Sequence, residues 1–284
     1  MKVIALKIIK GKRFDEERAL YNLTDASVED CEFAGPADGE SALKEAHDVE
    51  VKNCTFSLRY PFWHTTGLNV SGCRLDEKTR ASLWYVKNAE IKDTEVTGVK
   101  CLRECDGISL ENFTAVSPEF GWRCRDIKMN NCDITSEYFL FEAKNVEIDG
   151  LKMKGKYSFQ YIENMTVKNS TLDTKDAFWH TKNVTVENCT IKGEYLAWYS
   201  EGLTLKNCHI IGTQPLCYCK NLTLINCTME NTDLAFEYSD VDADIKGEIM
   251  SVKNPHSGKI VADGYGEIIL NHSVMPLECE IIKR

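Results

Sequence analysis

Eight residues of this 284-residue chain recur at near-constant spacing with side chains able to hold a ligand: His64, Tyr85, Glu104, Arg123, Glu142, Tyr161, His180 and Tyr199. Aromatic rings interspersed with carboxylates and a guanidinium suit a sugar polymer, with rings for its apolar face and fixed polar groups for its hydroxyls. The same column also fits a solvated face on which Glu104, Arg123 and Glu142 only relieve like-charge repulsion. For catalysis the candidates narrow to Glu104, Arg123, Glu142 and His180. His180, beside Tyr161 and Glu142, has the chemistry of a general acid or base. Glu104 and Glu142 lie two repeats apart, about 9–10 Å between backbones. Side-chain freedom brings that within roughly the 6.5–9.5 Å of an inverting glycosidase's carboxylates. Arg123 between them would hold both ionised, which works against either serving as the acid. His64 and His180 share near-identical PFWHT and AFWHT settings. Six repeats, about 29 Å, separate them, so they cannot serve one site.

That spacing belongs to a repeat. Rows opening at Asp25, Asp48, Gly67, Asn88, Gly107, Asp126, Asn145, Asn164, Asn183, Gly202, Asn221 and Asp240 align nearly the whole chain, in steps of 19 from Asn88 onward. Units too short to bury their own apolar face are the signature of a solenoid. Every row opens on Asn, Asp or Gly, and the same types return five places later, from Asp30 and Asn53 to Asn207 and Asn226. These types tolerate left-handed backbone, so each coil bends twice at fixed places. Between bends the pattern alternates: Val184 and Val186 face one way and Thr185 the other. A third, more aromatic stretch follows, as in EYLAWYS (Glu194 to Ser200). No helical period and no leucine-dense horseshoe pattern is present. The expectation is an all-β, single-domain parallel β-helix of about 12 coils, mostly of 19 residues, with three short strands per coil. Residues 1–24 form an N-terminal strand and cap, 25–245 the coils, and 246–284 a distorted coil and cap. FDEERALYN (Phe14 to Asn22) reads as an amphipathic plug, and GPADGESALKEAH (Gly35 to His47) as adding a helical turn. After Asp240 the plan decays, with Lys246 in the column where cysteine recurs.

In the third stretch, the column Trp63, Trp84, Arg103, Trp122, Phe141, Gln160, Trp179, Trp198, Cys217 and Phe236 precedes a polar one that ends in Tyr218 and Glu237. Alternation favours the tryptophans pointing inward, where Arg103 and Gln160 would need buried partners. The column before that (Phe62, Leu83, Leu102, Leu140, Phe159, Phe178, Leu216) is apolar as well, which hints at a covering segment or a subunit interface. Cys54, Cys73, Cys132, Cys189, Cys208 and Cys227 share one inward column with Thr94, Phe113, Leu151 and Ser170. That is packing, not ligation, and no metal is expected.

A hydrophobic fraction of 43% and a charged fraction of 27% describe a globular chain. No apolar run nears the roughly 18 residues of a membrane span, and the N-terminal MKVIALKIIKGKRF reads as a first strand. Thirteen cysteines without an export signal point to reduced thiols and a cytoplasmic setting. The net charge of -10 argues against nucleic acid and mildly against an anionic polymer. No phosphate loop, nucleotide fingerprint or zinc-protease helix appears, so no cofactor is expected.

The N-V-T-V-x-N-C-x-I coils, the opening ERALYN (Glu17 to Asn22) and the closing SVKNPHSGKIVADGYGEIIL resemble a mainly bacterial family without an assigned activity. That family is placed near the right-handed β-helices of pectate lyase type, and the resemblance covers almost the whole chain. It implies a right-handed helix and brings no catalytic residues. The Asn-Thr-Asp, Asp-Asp, Gly-His-Gly and Arg-Ile-Lys signatures of polygalacturonase-like hydrolases are absent, as is the dense acidic calcium cluster of pectate lyases. The expected function is binding of a ligand, such as an oligosaccharide, or of a protein partner along the third-strand face. A carbohydrate-active enzyme of lyase or hydrolase type is the alternative, and a structural scaffold or homo-oligomer a further one.

Overall fold

Each winding is set by its corners. In the computed structural model, which describes residues 7–284, the backbone enters the left-handed region at Asp25 (φ 49°), Asn88 (54°) and Asn183 (54°). It does so again five residues on, at Asp30 (52°), Asp93 (48°) and Asn188 (55°). Short polar side chains adopt this conformation at low cost, and here they also bond to one another between windings. Asn131 Nδ2 donates to Asn112 Oδ1 (2.7 Å), and Asn112 Nδ2 to Asp93 Oδ1 (2.9 Å). Asn226, Asn207 and Asn188 form an equivalent ladder, with steps of 2.7 and 3.1 Å. Where windings approach most closely only glycine fits: a Cβ on Gly193 (φ 154°) would collide with the carbonyl oxygen of Thr174.

The chain divides into two compact units, Met1–Ser136 and Glu137–Arg284. Residues 1–6, the expected start of the first strand, lie outside the described residues. In the first unit, seven windings carry parallel strands from Lys7–Lys10 through Thr24–Glu29, His47–Lys52, Thr66–Ser71, Lys87–Lys92 and Asp106–Glu111 to Arg125–Ser136. In the second, eight run from Lys144–Lys156 through Glu163–Lys168, Lys182–Glu187, Glu201–Lys206, Leu222–Glu230, Asp240–Lys246 and Ser257–Ala262 to Glu280–Lys283. The fold is a parallel β-helix, as the repeat requires. Fifteen windings replace the expected twelve because the strands at Lys7, Ser257 and Glu280 keep the pairing without keeping the 19-residue plan. No helix among the described residues is long and apolar enough to cross a membrane.

Inside, residues one winding apart stand in line. Val186 pairs with Leu205 and Leu205 with Leu224, all at most 1% exposed. Phenylalanines stack along the same axis, Phe33 on Phe56 at 4.5 Å and Phe159 on Phe178 at 4.7 Å. Each buried apolar side chain contributes roughly 1.5–3 kcal/mol.

The helical turn expected from Gly35–His47 is absent, and Phe14–Asn22 is part of the windings instead of a plug. Residues 15–22 and 35–46 supply the third segments of early windings: the Arg18, Leu20 and Asn22 amides donate to the carbonyls of Glu40, Ala42 and Lys44. Among the described residues the one helical turn is the 3-10 turn Glu77–Thr79, capped by Asp76. Near the C-terminus, a register shift between Leu224 and Cys227 shortens the winding by one residue. It sets the fully buried Ile245, not Lys246, against Cys227. Burying an unpaired ammonium would cost far more than a local irregularity.

The cysteine column does more than fill space. At the corner, the amide of Cys31 donates to Cys54 Sγ (3.4 Å) and that of Cys54 to Cys73 Sγ (3.3 Å). Where oxygen replaces sulfur the bond persists: Cys73 to Thr94 Oγ1 (3.4 Å) and Leu151 to Ser170 Oγ (3.0 Å). Cys, Thr and Ser thus interchange as acceptors in this column, a role that Phe113, Leu151 and Ile245 leave unfilled. Ser170→Cys should lower stability by less than about 1 kcal/mol, and Ser170→Ala by about 1–3 kcal/mol, since the buried Leu151 amide loses its acceptor. Urea unfolding of the two variants checks this.

Candidate functional site

The third segment is the unusual one. In the second unit its residues alternate into left-handed backbone, at Tyr157 (φ 42°), Phe159 (62°) and Tyr161 (57°), and at Tyr195 (57°), Ala197 (62°) and Tyr199 (61°). Amides consequently point in alternate directions along the axis. Those of Tyr157 and Tyr161 bond forward to the carbonyls of Lys175 and Trp179, and that of Phe159 bonds backward to Phe139. Regular strand occupies this segment at Lys100–Arg103 and Glu119–Trp122 in the first unit and at Tyr138–Phe139 in the second.

This conformation corrects the side-chain directions. Phe159, Phe178, Ala197 and Leu216 are the buried column, all 0% exposed. The tryptophans expected to point inward are only half-buried. The period of two fails because left-handed residues interrupt the pleat that produces it. Half-buried, these side chains bond to the next winding: Gln160 Nε2 donates to Asp176 O (3.0 Å), Trp179 Nε1 to Tyr195 O (2.6 Å) and Trp198 Nε1 to Gln214 O (2.8 Å). All three acceptors have positive φ, which turns their carbonyls outward. The partners that Gln160 and Arg103 require therefore exist: Arg103 Nη1 reaches Glu119 Oε2 at 3.0 Å and lies over the Trp122 ring. Trp63 and Trp84 Nε1 are buried without a partner.

The polar column forms ladders of stacked rings. In the second unit Tyr161 stacks on His180 (4.9 Å, 9°), His180 on Tyr199 (5.1 Å, 8°) and Tyr199 on Tyr218 (4.8 Å, 13°). Tyr238 follows at 5.8 Å, tilted by 41°. Tyr238 was missed because the last step is 20 residues, which moves Glu237 and Phe236 out of their expected columns. The Ser200, Cys219, Ser239 series, linked by Ser200 Oγ to Cys219 Sγ and Cys219 N to Ser239 Oγ, carries that signal. In the first unit His64 stacks on Tyr85 at 4.8 Å, while Glu104 lies 3.7 Å from Arg103 Nε. Of the catalytic candidates, Glu104 and Arg123 belong to the first unit and Glu142 and His180 to the second. The Glu142 amide bonds to Gln160, one winding from the Tyr161–His180 pair, and both faces of the His180 imidazole are covered by tyrosine. Stacking along the axis consumes ring faces. The ladder therefore presents ring edges, hydroxyls and imidazole nitrogens to solvent, not the faces expected to meet a sugar.

The model of the family described as protein of unknown function DUF3737 matches residues 7–282. The chain belongs to the DUF3737 family. This agrees with the resemblance read from the coils and end motifs. Among solved structures the DUF3737 chain is similar to the A-module of a mannuronan C-5 epimerase of Azotobacter vinelandii. Identity there is 8%, coverage is 98% of this chain and 90% of that one, and the TM-score is 0.39. It is similar to a surface adhesin of Streptococcus pneumoniae at 11% identity, covering 84% of this chain and 72% of that one, with a TM-score of 0.38. It is also similar to the catalytic domain of a GH87 alpha-1,3-glucanase in complex with nigerose, at 8% identity, covering 98% and 63%, with a TM-score of 0.32. No curated protein matches the chain.

Two further features frame the chemistry of this DUF3737 protein. An open groove of about 650 Å³ crosses the outer face of the first strands in the first unit, with Asp48, Glu50, Glu90, Asp126 and Lys128 among its walls. Its acidic lining would repel an anionic chain. Among the described residues no group of three or more His, Cys, Asp or Glu is placed to hold a metal ion. Burial pushes the thiols of Cys132 and Cys219 up to about 11, so both stay protonated near neutrality.

Burial, with a smaller contribution from Glu237, pushes the phenol of Tyr218 up to about 12. Between the ordinary tyrosine value near 10 and this one, the unfolded chain releases a proton that the folded chain keeps. Stability should therefore fall as pH rises through about 10–12. Melting temperatures across that range should show a shallower decline in Tyr218→Phe than in the parent, and a phenolate absorbance titration should lose its highest step.

Proposed function

We propose that the ladder of the second unit is a non-catalytic binding surface for an extended polyhydroxylated ligand of carbohydrate type. One observation carries this reading: Tyr161, His180, Tyr199 and Tyr218 hold left-handed backbone (φ 57°, 54°, 61° and 59°) with large aromatic side chains. The two Asx corners of the same windings use Asn or Gly, which the conformation favours. A bulky residue there costs roughly 1–2 kcal/mol, and strain of this kind collects where side chains are kept for function. Mutual stacking returns about 0.5–1.5 kcal/mol per pair, so ring packing alone offsets the strain only in part. Tyr161 and Tyr199 remain 46% exposed, which leaves a continuous edge open to a ligand. Binding stands ahead of catalysis because the imidazole of His180 is enclosed between two rings.

Tyr199→Asn separates the two roles of the ring. It removes the stacking edge and installs a residue the corner prefers. Chemical denaturation should register a stability change of no more than about 1–2 kcal/mol. On a broad glycan array the parent should bind and the variant should not. Parent protein silent across the array, or a variant that binds equally well, would remove this reading.

A further inference from the structure

We infer that the ladder reads its ligand one sugar per winding, along the solenoid axis and through ring edges, which selects a ribbon-like glycan with equatorial linkages. The inference rests on the binding reading above and adds to it a direction, a register and a contact chemistry. The rungs Tyr161, His180, Tyr199 and Tyr218 repeat at 4.9, 5.1 and 4.8 Å. Backbone pairing sets this pitch at about 4.8 Å, so it is a rigid property of the fold. Such a repeat is comparable to the rise per sugar of a pyranose chain extended through equatorial bonds. A glycan that coils through axial bonds drifts off successive rungs after one or two units.

The contact chemistry follows from stacking. Interplanar angles of 8–13° close the ring faces to any ligand. Among the described residues no protein group hydrogen-bonds the hydroxyls of Tyr161, Tyr199 or Tyr218. The ladder thus offers a row of phenol hydroxyls and an imidazole edge, suited to the hydroxyl edge of a sugar ribbon and not to its C–H face. Its C-terminal end is closed: the Tyr238 ring tilts by 41° and its hydroxyl accepts from the Val274 amide (3.3 Å). With Tyr238 as the closing residue, four rungs stand open to a ligand.

Calorimetric titration of the full chain with β-1,4-linked gluco-oligosaccharides and with α-1,4-linked malto-oligosaccharides, each from disaccharide to hexasaccharide, tests this. Affinity for the β-linked series should climb with each sugar to the tetrasaccharide and then level off, while the α-linked series stays weaker at every length. Tyr161→Phe and Tyr199→Phe keep the stack but lose a hydroxyl, and each should weaken β-linked binding roughly three- to tenfold. Far-ultraviolet circular dichroism and melting should remain those of the parent. Binding that ignores chain length, favours the α-linked series or survives both Phe changes while failing in Tyr199→Ala would overturn this inference and leave the binding reading standing. No binding of either series, together with a silent glycan array, would overturn both.

Discussion

Everything in this molecule depends on left-handed corners held in register by parallel pairing. A single residue at positive φ is an inconvenience to a chain of L-amino acids. Repeated in line, such residues become a fold-defining device, because each corner aims the next strand directly over the previous one. Asn112 bonding back to Asp93, and Asn131 to Asn112, shows how corners reinforce one another through the side chains that make them possible. The hydrophobic interior follows from this: Val186, Leu205 and Leu224 line up because the corners do.

The same constraint decides what was readable in the residues. The Asx corners and the alternating strands were legible, since composition and period report backbone conformation directly there. The third segment was not. Phe159 and Tyr161 both hold left-handed backbone although neither is a residue type that announces it. A period-two reading consequently turned the tryptophans inward. Their half-buried placement, with Trp179 and Trp198 donating to carbonyls of the next winding, depends on the φ of Tyr195 and Gln214, which no local pattern reveals. Irregular steps hid the rest. One 20-residue step concealed Tyr238, and one shortened winding hid Ile245 behind Lys246.

Of the candidate site, the column was visible and its geometry was not. Tyr161, His180 and Tyr199 were recognisable as neighbours because they lie 19 residues apart. That their faces close on one another could come only from three-dimensional placement, and it changes the chemistry from face stacking to edge recognition. The corner carrying these rings departs from the economy of the other two. Asparagine would suit the backbone there, as it does at Asn183 and Asn188, yet large rings occupy it. The tension between backbone preference and side-chain identity is the physical basis for assigning a role to the ladder.

The backbone conformation beneath those rings can be measured without any ligand. Amide-to-Hα scalar couplings and intraresidue Hα–amide NOEs, recorded on isotopically labelled protein at Tyr161, His180, Tyr199 and Tyr218, report the sign of φ. Positive φ at all four residues is the expected result. Extended values there would put the rings on an ordinary pleated strand, remove the strain and contradict the account at its root.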